Sequence, residues 1–112
     1  MPKPATRPYS RYSRDAAALL GQLIKRTRIE RRITVEDLAE RAGLSRGLVY
    51  RIERGDLGCA IGAVFEAAAV VGVRLFDADQ LALTGQLSAN NAVLTLLPQK
   101  IRTSTGPVKD DF

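Results

Sequence analysis

Residues 34–55, TVEDLAERAGLSRGLVYRIERG, hold two complete sets of helix start and stop signals within one short stretch. Thr34 offers its hydroxyl to the first turn of a helix, and Asp37 stands three residues on, where a capping box closes. Leu38, Ala39 and Ala42 give this helix an inner face, and Gly43 ends it by entering left-handed backbone without a steric penalty. Leu44 seals the corner and Ser45 caps the next helix. Leu48, Val49 and Ile52 then recur at helical spacing until Gly55 stops the run. Helices this short are not stable alone in water, so they must pack across a tight corner against other elements. That packing leaves Arg46, Gly47, Tyr50, Arg51 and Arg54 on the outer side.

The flanking sequence supplies those elements. Over residues 15–32, Ala16, Leu19, Leu23 and Thr27 repeat on one helical face, with Leu20 and Ile24 widening the stripe. Residues 60–71 form a second apolar helix through Ile61, Val64, Phe65 and Ala68, with Gly72 at its end. Further on, the spacing predicts helices at 78–84 and 88–97. The apolar run at 93–97 fits a short strand equally well, and Pro98 stops either element. The opening residues, 1–14, rich in Pro, Ser and Arg, read as a mobile basic arm, and residues 99–112 as a polar tail. The expected fold class is all-α: a compact domain of four to five helices at 15–76, followed at 77–98 by a helical or short-strand extension.

A chain of 112 residues supports one such core and excludes a large catalytic domain. Its net charge of +5 favours a polyanionic partner. The distribution is uneven: Lys3, Arg7, Arg11 and Arg14 precede any acid, whereas Arg74 faces Glu66, Asp77 and Asp79 between residues 59 and 99. One cysteine, Cys59, and no histidine leave no disulfide framework or zinc-ligand cluster, and a reducing cytoplasm is the simplest home. No apolar run is long enough to span a membrane. Nucleophile motifs, paired catalytic carboxylates and phosphate-cradling loops are missing from the sequence, so neither an enzymatic role nor a cofactor is expected.

Ala39, Gly43, Leu44, Val49, Ile52, Glu53 and Gly55 together resemble the lambda-repressor-like, or XRE-type, helix-turn-helix pattern, which spans residues 16–73 here. The resemblance implies operator binding, with the third helix in the major groove and the second crossing the backbone. Ser45, Arg46, Gly47 and Tyr50 become the base-readout candidates. Arg46 suits a bidentate guanine contact or a phosphate clamp, Tyr50 a thymine methyl, a phosphate or a neighbouring helix, and Gly47 close approach or mere permissiveness. Backbone contacts fall to the Thr34 hydroxyl and the amides that open the second helix, Val35 included, together with Lys25, Arg51 and Arg54. Val35 stands where similar domains usually carry Gln, so a familiar operator preference does not transfer. Arg28 and Glu53 occupy the positions of a structural ion pair in similar domains.

Two half-sites read by a homodimer are the economical route to specificity for so small a domain. Leu81, Leu87, Val93, Leu94 and Leu97 are the dimerisation candidates, with completion of the monomer core as the alternative. A narrower resemblance, carried by LLPQKIR and the DDF ending, is to HipB-type antitoxins. It implies a cytoplasmic repressor that regulates its own toxin-antitoxin operon and binds a HipA-like serine/threonine-kinase toxin. A stand-alone regulator and a protein-interaction module derived from the same fold are the other readings.

Overall fold

Local capping and apolar spacing explain most of the architecture. In a computed structural model, which describes residues 8–102, every regular element is helical: α1 Arg11–Glu30, α2 Val35–Ala42, α3 Arg46–Glu53, α4 Ile61–Val71 and α5 Gln80–Leu96, with a 3-10 turn at Leu75–Asp77. The fold is the expected all-α arrangement, and no strand forms among the described residues; the 93–97 run is helical up to Leu96. The chain divides into two units, Met1–Asp77 and Ala78–Phe112.

Within the first unit, Ile24, Leu38, Val49 and Val71 are completely buried, joined by Val35, Ala39, Ile52, Ala67 and Ala68. Each large apolar side chain contributes about 1.5–3 kcal/mol by leaving water. The alanines let α4 approach α2 closely, and these two helices make the most extensive contact in the unit. The Val35 side chain belongs to this core, so a backbone contact at this position is open only to its amide.

Helix α1 departs from expectation in two ways. It begins at Arg11, because the Ser10 hydroxyl accepts the Ser13 amide and caps it, so residues 11–14 are helical and not part of an arm. Residues 1–7 of the expected arm lie outside the described residues. The buried face is also rotated. Gly21 and Ile24 are buried, while Leu19 and Leu23 remain 56% and 37% exposed. Gly21 causes the rotation: a Cβ there would collide with the Ile52 carbonyl oxygen and stand 2.9 Å from that of Glu53, so α1 turns its smallest residue toward the end of α3. Gly55 reciprocates from the other side. Its φ is +77°, and a Cβ would lie 2.7 Å from Ala18 Cα.

The same crossing is tied by charge. Arg28 reaches Glu53 through two hydrogen bonds, Nε to Oε2 at 2.6 Å and Nη2 to Oε1 at 3.1 Å, and its Nη1 donates to the Ile33 carbonyl at 3.0 Å. The two side chains are only 11% and 5% exposed. The Glu53 hydrogen bond, ahead of the opposing effect of burial, holds the Arg28 guanidinium above its ordinary pKa, so it stays charged.

In the second unit, α5 runs unbroken through Gly85 where two helices and a gap were expected. Asp79 caps it by accepting the Ala82 amide at 2.9 Å. No residue of α5 is buried. Leu81, Leu87, Val93, Leu94 and Leu97 are all exposed.

Candidate nucleic-acid interface

Each short helix of the 34–55 stretch is started by its own side-chain cap. Thr34 Oγ1 accepts the Asp37 amide at 3.0 Å, and Ser45 Oγ accepts the Leu48 amide at 3.1 Å. Gly43, at φ +71°, closes α2 and passes its amide bonds back to Ala39 and Glu40. Only half of the expected capping box forms, because the Asp37 carboxylate is held by Arg41 at 2.9 Å instead of reaching back to Thr34. With Val49 and Ile52 buried against α1 and α2, the opposite side of α3 is left uncovered.

That uncovered side carries the readout candidates. Arg46 and Gly47 open α3 and are exposed, and Tyr50, one turn further, is 49% exposed. A Cβ at Gly47 would meet nothing within 4 Å, so intramolecular packing does not require glycine there. Tyr50 keeps about half of its surface exposed. Ser45 already uses its hydroxyl as the α3 cap acceptor, which leaves the O–H free to donate.

Two cations of the surface are paired by acids that the sequence reading did not single out. Arg46 Nη1 lies 3.1 Å from Glu36 Oε2, both side chains being largely exposed. The Glu36 carboxyl is held below its usual range, first by a hydrogen bond from its own amide in the opening turn of α2 and then by Arg46. Arg51 Nε lies 2.8 Å from Asp56 Oδ2. Asp56 also accepts the Gly58 amide at 2.7 Å, and these two donors, Arg51 first, lower its pKa, while Asp56 raises that of Arg51. Arg51, one of the backbone-contact candidates, is therefore partly neutralised by Asp56. Lys25 and Arg54 are exposed and enter no ion pair among the described residues. The Glu36–Arg46 contact spans ten positions and a corner, so only the folded turn reveals it. Cys59 is half-buried against the core.

The start of α2 and the exposed side of α3 offer helix-terminal amides, a hydroxyl, an arginine fork and a phenol, a set suited to hydrogen bonding with an anionic duplex. Among the described residues, no group of three or more His, Cys, Asp or Glu is placed to hold a metal, and no helix is long and apolar enough to cross a membrane. No curated protein sequence matches the chain. A family model described as a helix-turn-helix domain matches residues 19–81, from within α1 to the start of α5. Because that match takes in more than half of the 112 residues, the chain belongs to the helix-turn-helix domain family.

Proposed function

We propose that the protein is a sequence-specific double-stranded DNA-binding transcriptional repressor that reads its operator through Ser45, Arg46, Gly47 and Tyr50. Contacts from Thr34, the Val35 amide, Lys25, Arg51 and Arg54 to the backbone set its position. The observation that carries this reading is the uncovered α3 face, with Arg46 and Tyr50 exposed on a helix whose other side is core. Fluorescence anisotropy of the full chain on its own promoter duplex and on a scrambled duplex, at one salt concentration, tests it. Promoter-selective binding is expected, and Arg46→Ala reduces the selectivity tenfold or more, about the discrimination of one bidentate base contact. Equal weak binding to both duplexes would sink the reading and point to a protein-interaction module.

The working form in this reading is a homodimer joined through α5. That helix has no charged residue from Gln80 to Leu96, and its leucines are exposed to water except for Leu83, which is half-buried. Helical phase puts Leu83, Leu87 and Leu94 on one side, with Asn90 in register between them and Leu97 following as the C-cap, a spacing that supports a helix-pairing seam. In this proposal Leu83 joins the seam, while an uninterrupted helical phase turns Leu81 to a different side. Leu87→Asp is expected to convert a dimer to a monomer in sedimentation equilibrium and to weaken promoter binding at least tenfold. An unchanged mass would place the interface elsewhere.

The narrower role, a HipB-like antitoxin that represses its own operon and holds a HipA-like kinase, rests on the LLPQKIR segment, which lies beyond the residues matched by the family. Co-purification with a kinase encoded by a neighbouring gene separates it from a stand-alone or phage-like regulator.

A further inference from the structure

The first turn of α2 carries two carboxylates with different tasks. Asp37 is held by Arg41 inside its own helix, whereas Glu36 crosses the turn to Arg46 at the start of α3. The contact runs from Arg46 Nη1 to Glu36 Oε2 at 3.1 Å, so the guanidinium is held on its Nη1 side at the first turn of α2. The tether occupies Nη1. It leaves the Nε/Nη2 edge, with its two parallel donors, open for a bidentate acceptor.

An unrestrained arginine at this edge reaches phosphate oxygen as readily as a base, and phosphate contacts carry no sequence information. A carboxylate beside the fork disfavours phosphate through like-charge repulsion and leaves the uncharged guanine edge unaffected. We propose that Glu36 is a positioning residue for base readout: by holding one side of the Arg46 fork at α2, it directs the free edge to guanine and sets the discrimination between operator and other DNA. The proposal rests on the operator-reading role of Arg46.

Glu36→Gln in the full chain tests it, on the promoter duplex and on a scrambled duplex of equal length. The side chain is exposed, so thermal unfolding should match that of the parent protein. Binding to the scrambled duplex is expected to tighten, the promoter-to-scrambled ratio to fall fivefold or more, and the salt slope on the scrambled duplex to steepen by about 0.9 as Arg46 gains a phosphate. In an Arg46→Ala background, Glu36→Gln should leave the ratio unchanged. An equal rise on both duplexes would overturn the proposal, leaving Glu36 as general repulsion only. A ratio effect that persists without Arg46 would overturn it in favour of a direct base contact by Glu36. Parent protein that fails to discriminate the two duplexes would remove the operator reading itself, and this proposal with it.

Discussion

Replacing Glu53 with alanine is expected to lower the unfolding free energy by about 3–5 kcal/mol, because it strands a charge that the fold has taken out of water. The guanidinium of Arg28 is 11% exposed and sends two of its hydrogen bonds to this one carboxylate. Its remaining bond, to the Ile33 carbonyl, cannot balance the charge. A domain of this size has a total stability of about 5–15 kcal/mol, so the variant should unfold at a far lower urea concentration, followed by far-UV circular dichroism. The double variant Arg28→Met/Glu53→Leu should recover most of the loss, since apolar side chains of similar volume often replace a buried pair without penalty. A loss below about 1 kcal/mol for Glu53→Ala would mean that solvent screens the pair as it does on a surface.

Gly55→Ala is the second substitution with a large expected effect, costing about 2–5 kcal/mol from two sources that act together. A left-handed conformation penalises any Cβ by about 1–2 kcal/mol, and forcing packed elements apart costs typically about 1–3 kcal/mol. Both conditions hold at Gly55, where φ is +77° and the new carbon would sit 2.7 Å from Ala18 Cα. Both of the nearest groups are backbone, so no side chain can swing away. Gly21→Ala meets the same crossing from α1, yet it gains helix propensity and needs no left-handed backbone. It should therefore be the milder of the two in the same urea titration. If Gly55→Ala proves the milder, the α1–α3 crossing yields more easily than its geometry implies.

The parts of this fold that were legible in the sequence are those whose causes are local. Thr34, Gly43, Ser45 and Gly55 act on backbone groups a few residues away, so the bounds of α2 and α3 follow from reading those positions in order. Helix α1 was misread at its start because Ser10, its cap, sits in a stretch whose Pro and Arg content suggested an arm. Its buried face was misassigned because periodicity weighs Leu19 and Leu23 above Gly21, and the demand for a glycine comes from carbonyls of α3 more than thirty positions away. Helix α5 lost its continuity on paper through Gly85 and the polar residues after it, so Leu83 was not grouped with Leu87 and Leu94. In the candidate site, residue types on α3 could be read directly, but their ion-pair partners could not. Glu36 and Asp56 are ordinary surface acids until a corner brings one to Arg46 and the other to Arg51.

The absence of charge along Gln80–Leu96 has a consequence for how the molecule responds to its surroundings. The phosphate contacts proposed for α3 and its cations would weaken as counterions compete. Association through an uncharged, leucine-bearing helix has no such dependence; it weakens on cooling and strengthens in sulfate, which is excluded from apolar surface. In the proposed dimeric repressor, a kosmotropic salt would therefore act on the two units in opposite senses, loosening the grip on a duplex while tightening the grip of one copy on another. Temperature and salt type become separate handles on assembly and on reading within one short chain.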